Sequence, residues 1–178
     1  MPYQRKVYGN LYSTTSSQEY TVPVASGLYL KENYLDSLWN TAKGLRVRRD
    51  SNSYEYSCVN MVLMQRVIDS VNQQTISDYV HENFYQELGM QTMGYNPLEI
   101  FSRDKLVPTS TDRWRGQLLC GTVHDPTAAL MGGISGNAGL FSNANDLAIL
   151  GQMLLNKGKY GGKQYLSEET VELFTSRQ

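Results

Sequence analysis

The sequence has no apolar run long enough to cross a membrane and no excess of charge of either sign. Its 178 residues include 16 basic and 17 acidic side chains, which gives a net charge of −1. A membrane-spanning helix needs about 20 consecutive apolar residues, and binding to nucleic acid usually depends on a basic patch. We therefore expect neither a membrane span nor a nucleic-acid partner. The short basic stretch at 46–49 is followed at once by Asp50 and is interpreted as a solvated loop.

Cysteine is also scarce, with only Cys58 and Cys120 in the chain. Two cysteines far apart in sequence do not form a disulfide framework, and no second pair accompanies them that would indicate a metal site. We predict that both are free and buried, with one bridge between them as the alternative, and we expect no metal or cofactor. The first six residues are polar and no apolar core follows them, so the start does not resemble a signal peptide.

What is present is an ordinary globular composition, with 40% apolar and 19% charged residues, and a series of helical patterns. About the first fifty residues are predicted to be irregular, apart from a short helix over 33–42. A helix over 59–71 has so wide an apolar arc that we expect it to be mostly buried. A further helix begins near Ile76, with Thr75 as its N-cap and Gly89 at its end.

A long aperiodic stretch over 94–130 separates these helices from a glycine-rich segment at 132–142. The second half of that segment, 138–141, is predicted as a strand. Two more helices follow, opened by Asn143 and Ser167. The first of them has three leucines on one face: Leu147, Leu150 and Leu154.

Three segments, taken in order, resemble one family. The first is Tyr-Glu-Tyr-Ser-Cys at 54–58, which leads into the apolar helix. The second is Phe-Tyr-Gln-Glu-Leu-Gly-Met at 84–90, which is similar to an F-x-P-L-G-M helix end. The third is the stretch from Gly132 to Phe141, followed by Ser-Asn-Ala-Asn-Asp-Leu-Ala at 142–148, and it is similar to G-H-A-G-L-F-S-T-A-x-D-L-A. Because order and spacing match over roughly residues 50 to 178, the chain resembles serine hydrolases of the β-lactamase and penicillin-binding type.

The resemblance implies an α+β fold, in which helices flank an antiparallel sheet. The chain would form one partial β-lactamase/transpeptidase-like domain over 1–178, helix-rich with a small antiparallel sheet. It also implies a periplasmic or extracellular location. Because a partial fold exposes apolar faces and sheet edges, we expect the chain to form homo-oligomers.

The resemblance further implies a mechanism and a set of site residues. A serine in a Ser-x-x-Lys motif attacks an acyl group, a Tyr-x-Asn tyrosine helps to move its proton, and a Lys-Thr-Gly or His-x-Gly motif lines the site. A serine hydroxyl is a weak nucleophile, so it needs an adjacent base and an oxyanion hole. Tyr56 takes the place of the catalytic tyrosine. The substrate-binding positions would be Cys58, Asn60, Asn137, Ala138 and Gly139.

Two of these positions depart from the family pattern. Cys58 stands where the tyrosine motif has Asn, and Asn137 stands where the third motif has Lys or His. Both changes remove a polar or charged partner that acyl transfer would use. They put catalysis in doubt, and Tyr56 could instead be an aromatic that packs before a helix.

The nucleophile is missing from its expected place. No Ser-x-x-Lys precedes Tyr56, and the only match in the chain, Ser102 to Lys105, lies after it. Pro108 follows too closely for a long helix to continue from that serine. His124 beside Asp125 suggests an oriented base, although a hydrogen bond that anchors a loop is the favoured interpretation.

Two functions follow from the resemblance. The first is a fragment of a serine hydrolase that acts on β-lactams, peptidoglycan peptides or esters and is inactive alone. The alternative is a non-catalytic binding or structural module, in the manner of similar domains that accompany family 3 glycoside hydrolases. Cys58 and Asn137 favour the alternative. An unrelated helical protein is a third interpretation, against which the three motifs argue.

Overall fold

The computed structural model describes residues 9–45 and 56–177, which fall into two compact units. The first unit holds the described residues up to Gln73 together with Tyr95–Leu140, and the second holds Gln74–Gly94 and the chain from Phe141 onward. The strands are β1 (Tyr12–Ser13), β2 (Tyr20–Ala25), β3 (Leu28–Lys31), β4 (Ser110–Asp112), β5 (Gln117–Leu119), β6 (Lys159–Tyr160) and β7 (Lys163–Gln164). The α-helices are α1 (Tyr34–Lys43), α2 (Cys58–Asn72), α3 (Ile76–Val80), α4 (Pro126–Leu130), α5 (Ala144–Leu155) and α6 (Glu168–Thr175). This is the helix-rich α+β fold with small antiparallel sheets that the sequence predicts.

A three-stranded antiparallel sheet opens the first unit, in the order β1-β3-β2. The segment expected to be irregular therefore holds the largest sheet in the described part of the chain. Gly27 turns the chain between β2 and β3 with φ +63°, a conformation that glycine adopts without a steric penalty. In β2, Val22 is half-buried and Val24 is buried while Thr21 and Pro23 are exposed, which is the period-2 pattern of a half-buried strand.

The two long helices of the first unit match the prediction in position but not in burial. α1 begins after Asn33 and ends at Gly44, and α2 begins after Ser57, whose hydroxyl accepts a hydrogen bond from the Val59 amide at 3.3 Å. On α2 only Val62 and Gln65 are buried. Its exposed apolar side chains are Met64, Val67 and Val71. The expectation of a mostly buried helix is therefore wrong for the described residues.

A buried ion pair ties the β4–β5 hairpin to the sheet. Arg115 and Asp112 are 2% and 7% exposed, and their side chains are joined by a 3.0 Å hydrogen bond. The same guanidinium donates to the carbonyl oxygens of Val24, Val123 and His124. One side chain thus fixes three separate segments of the first unit, which explains how the aperiodic stretch at 94–130 becomes ordered.

The second unit packs α5 against the segment that follows α3. Helix α3 begins at Thr75, whose hydroxyl accepts from the Asp78 amide, and it continues as a π-helical turn over His81–Tyr85. The core consists of Tyr85, Leu88, Met90, Met93 and Met153. Ile149 and Leu150 of α5 pack against it. By contrast, Leu147 and Leu154 are largely exposed, so the three-leucine face predicted for this helix is not the buried one.

The predicted strand at 138–141 does not form. Ser135 and Ala138 make one isolated bridge and Gly94 and Phe141 make another. Gly139 has φ +116°, outside the strand region, and a Cβ there would collide with the Gly133 carbonyl oxygen. The backbone therefore turns at the point where a regular strand would have to continue.

Candidate functional site

Tyr56 lies immediately before the N-cap of α2 and is 56% exposed. Ser57 caps the helix, Cys58 is its first residue and is half-buried, and Asn60 is exposed. The start of α2 therefore presents the predicted tyrosine motif at a helix N-terminus, where the aligned peptide dipoles favour negative charge. The preceding residues of the motif, Tyr54 and Glu55, lie outside the described part of the chain.

The glycine-rich loop carries the third predicted motif. Asn137 is half-buried, and its side-chain oxygen accepts a 2.6 Å hydrogen bond from the hydroxyl of Ser135, which is 2% exposed. Ala138 packs against the small cluster formed by Val123, Ala128 and Ala129. The loop therefore holds a neutral amide where the family pattern has a cation, and its oxygen is engaged locally.

Gln65 brings these two regions into contact. Its side-chain oxygen accepts from the Gly136 amide at 2.9 Å, and its side-chain nitrogen donates to the Ile134 carbonyl at 3.4 Å. A Cβ on Gly136 would collide with the Met61 carbonyl oxygen. Met61 directly follows Asn60 and Gly136 directly precedes Asn137, so the contact between helix and loop lies next in sequence to each group of predicted site residues. The catalytic and binding roles of the six residues remain predictions.

Tyr95 and Asn96 hold the loop from its other side. The Tyr95 ring lies beside Gly139, and the Asn96 side-chain amide donates to the Gly132 carbonyl at 3.1 Å. Burial raises the pKa of Tyr95, and the Asp69 carboxylate raises it further. Tyr95 is therefore a neutral phenol at ordinary pH.

Ser102 stands apart from this arrangement in structure as well as in sequence. It is exposed and precedes a three-residue 3-10 turn, Arg103–Lys105, after which Leu106 is extended. A Ser-x-x-Lys nucleophile requires a helix that places the lysine one turn after the serine and continues beyond it. The prediction that no long helix continues from Ser102 is confirmed.

Neither His124 nor the cysteines assemble a reactive group. The Asp125 carboxylate accepts from the Ala128 amide at 2.8 Å as the N-cap of α4, and the His124 carbonyl receives Arg115. The pair thus anchors a loop, as favoured from the sequence. Cys58 and Cys120 are both free thiols, although only Cys120 is buried.

Gln65, Arg115 and Ser135 are structural partners of the site that the sequence motifs do not predict. Val62, Gln65, Asp69 and Asn72 recur at intervals of three and four and share one side of α2. That periodicity was the available signal. Nothing local marked Arg115 or Ser135, because their partners lie elsewhere in the fold.

The described ranges contain neither a cluster of metal ligands nor a membrane-spanning helix. Within 9–45 and 56–177, no cluster of three or more metal-ligating side chains occurs. No helix in these ranges has the length and apolar content needed to span a bilayer.

Comparison with known proteins first defines the fold class. The crystal structure of D-amino acid amidase from Ochrobactrum anthropi SV3 complexed with D-phenylalanine aligns with a TM-score of 0.55 at 15% sequence identity. The alignment covers 90% of this chain and 44% of the amidase chain. At this identity the match establishes a shared fold.

The family then follows from sequence. The Beta-lactamase family model matches residues 9–178, so the chain belongs to the beta-lactamase family of serine hydrolases. A provisionally named D-alanyl-D-alanine carboxypeptidase of Escherichia coli (strain K12) is 38% identical over 134 residues. A similarly named protein of Salmonella agona (strain SL483) is 34% identical over 135 residues. In both cases the alignment covers 68% of this chain but only 31% of the relative.

Proposed function

We propose that this chain is a portion of a serine hydrolase that recognises D-alanyl-D-alanine peptides, and that the 178 residues alone do not hydrolyse them. Contact between the tyrosine-led helix and the glycine-rich loop supports this proposal, because it joins the helix that follows the tyrosine motif to the loop that carries the third motif. Tyr56 would act as the proton-transfer residue. Asn137, Ala138 and Gly139 would line the substrate, with Cys58 and Asn60 at the helix start.

The chemistry explains why activity is not expected. Acyl transfer needs a nucleophile beside its base, and no Ser-x-x-Lys precedes Tyr56 in the sequence. The serine would have to come from polypeptide outside these 178 residues. The names of the relatives support D-alanyl-D-alanine as the substrate class, and a substrate of this class supports a location in the periplasm or outside the cell.

Covalent labelling tests the absence of a nucleophile. We expect a fluorescent penicillin and a fluorophosphonate to leave the intact mass of the folded chain unchanged. Ser102→Ala is the matched control, because Ser102 lies in the only Ser-x-x-Lys match in the chain. An adduct on the native chain that disappears in this variant would show that Ser102 is a nucleophile and that the proposal is wrong.

Substrate recognition needs a separate measurement. Titration of the ¹⁵N-labelled chain with D-alanyl-D-alanine should shift the amide signals of Asn137 and Gly139, while L-alanyl-L-alanine should shift them less. Equal shifts with both dipeptides, or none with either, would contradict the proposed substrate class.

A non-catalytic module is the second candidate, and the hydrogen bonding of Asn137 favours it. Because the Asn137 amide oxygen accepts from Ser135 and the residue has no charge, it cannot attract a carboxylate as a lysine would. This candidate predicts the same absence of labelling. It also predicts no discrimination between the two dipeptides, so the titration separates the two functions.

A further inference from the structure

We propose that Gln65 is a positioning residue, whose carboxamide sets the glycine-rich loop against the tyrosine-led helix. This inference rests on the proposed function, in which that junction forms part of the substrate site. Gln65 lies in the middle of α2 and is only 6% exposed, although glutamine is ordinarily a surface residue. A buried amide at this position therefore has a structural reason.

The hydrogen bonds of Gln65 supply that reason. A carboxamide offers one acceptor oxygen and one donor nitrogen, and here both are directed at the same loop. The oxygen receives the Gly136 amide at 2.9 Å and the nitrogen contacts the Ile134 carbonyl at 3.4 Å. The buried carboxamide, which would be costly to leave without partners, is thereby paired at both its oxygen and its nitrogen.

The contact also fixes the distance between the glycine-rich loop and α2. Because Gly136 has no Cβ, its backbone sits directly against the Met61 carbonyl, one turn before Gln65 on the same helix. The loop is thus held to α2 by close approach at Met61 and by hydrogen bonds at Gln65. A displacement of α2 is transmitted to Gly136 and therefore to Asn137, the next residue.

Two further side chains hold the loop at points away from Gln65. Asn96 binds the Gly132 carbonyl, and Ser135 binds Asn137 within the loop itself. Gln65 joins the loop to the helix that begins after Tyr56. Its expected role is to set the relative position of the two motifs, with no direct contact to substrate.

The test compares two substitutions in the ¹⁵N-labelled 178-residue chain. Gln65→Met preserves volume but removes both hydrogen bonds. Gln65→Glu keeps the acceptor and, when protonated, also restores a donor to Ile134. Gln152→Met on the exposed surface of α5 is the matched control. Hydrogen exchange of the Gly136 amide, corrected for its intrinsic pH dependence, and the chemical shifts of Asn137 are measured as a function of pH.

We expect Gln65→Met to accelerate exchange at Gly136 about tenfold, the factor that corresponds to one typical hydrogen bond, and to shift the Asn137 signals. Gln65→Glu should resemble the native chain at low pH. At high pH its carboxylate still accepts from the Gly136 amide but repels the Ile134 carbonyl, so the Asn137 signals should move toward those of Gln65→Met while Gly136 stays protected. The loop over 131–139 contains no titratable side chain, and the flanking charged groups on α2 are Arg66 and Asp69. Gln152→Met should change neither signal.

Unchanged exchange and shifts in Gln65→Met would overturn the proposal, because a side chain that only fills space is replaced by methionine without effect. If Gln65→Met does not fold, Gln65→Glu supplies the test. Asn137 chemical shifts that do not change with pH in that variant would also overturn the proposal. The D-alanyl-D-alanine titration separates this result from the proposed function. A native chain that does not respond to the dipeptide contradicts the function alone, whereas identical responses in the native chain and folded Gln65→Met contradict the positioning role.

Discussion

At the scale of single residues, buried polar side chains connect parts of the chain that are distant in sequence. Arg115, Asp146 and Gln65 are each at most 6% exposed, and each pairs with backbone groups far from it. A buried polar group without a partner costs free energy, so such residues make the surrounding conformation specific. Arg115 and Gln65 lie outside the predicted family motifs, whereas Asp146 takes the Asp position of the third motif.

Removing the Arg115 guanidinium should be among the most damaging single changes. Arg115→Ala leaves the Asp112 carboxylate buried without its ion-pair partner and frees the carbonyls of Val24 and Val123. The expected loss in free energy of unfolding is about 3–5 kcal/mol, measured by urea denaturation. Arg103→Ala, an exposed arginine on a 3-10 turn, should change stability by no more than about 0.5 kcal/mol. Equal effects of the two substitutions would show that burial of the ion pair is unimportant.

Asp146 should make stability depend on acid pH. Burial alone would raise the pKa of its carboxyl, but hydrogen bonds from the Thr92 hydroxyl and amide and from the Met93 amide outweigh burial and lower it. A carboxyl with a lowered folded-state pKa stabilises the protein above its unfolded pKa of about 3.9. This contribution is lost as pH falls through the folded-state pKa.

The stability difference between the native chain and Asp146→Asn should therefore shrink as pH falls below about 4. Urea midpoints for the two proteins between about pH 7 and pH 3 provide the measurement. Burial would raise the pKa of Asp112, but its hydrogen bonds with Arg115 outweigh burial and lower it. The stability of the Asp146→Asn variant therefore keeps a residual dependence on pH of the same sign. A difference that stays constant over this range would contradict the assignment.

At the scale of elements, local signals predicted helix starts and ends well. Helix starts were predicted at Asn33, Thr75, Asn143 and Ser167, and all four stand at N-caps, because capping depends on residues within one turn. Burial was predicted less well, since which face packs depends on neighbours distant in sequence. The opening sheet was missed for a similar reason, because three short strands give little periodicity.

The conformation of the glycine-rich loop depends on glycines, which have no side chain, and this dependence can be tested. Gly139→Ala adds a Cβ at φ +116° that collides with the Gly133 carbonyl oxygen. Strain of this kind costs about 1–3 kcal/mol. Gly151→Ala, in the interior of α5 with nothing within 4 Å of the new Cβ, should instead stabilise by about 0.5–1 kcal/mol. Thermal denaturation of both variants should show opposite shifts, and a harmless Gly139→Ala would contradict the described loop conformation.

At the scale of the whole molecule, the partial alignment with family members and the exposed apolar surface both raise the question of what covers that surface. The chain aligns with 31% of the Escherichia coli relative and 44% of the amidase chain. Its described surface includes strongly exposed apolar side chains on α2, α5 and α6. The most exposed are Val71, Leu155 and Phe174. Apolar surface of this extent is normally covered by protein or marks an interaction site.

Self-association is the outcome expected for the isolated chain. Met64, Val67 and Val71 are spaced to form one stripe on α2 and are 55%, 55% and 76% exposed, so burying them against a second copy removes apolar surface from water. Light scattering should give a mass above that of one 20.1 kDa chain, and an apolar dye should bind.

Changing Val67 and Val71 together to glutamate should lower both signals, because charge at the stripe opposes its burial. Changing Thr14 and Thr15 together to glutamate adds the same charge at exposed loop positions and should leave both signals unchanged. A native chain that is monomeric and does not bind the dye would show that the exposed stripe does not drive association. The question would then be which parts of the family fold, when joined to this chain, cover α2.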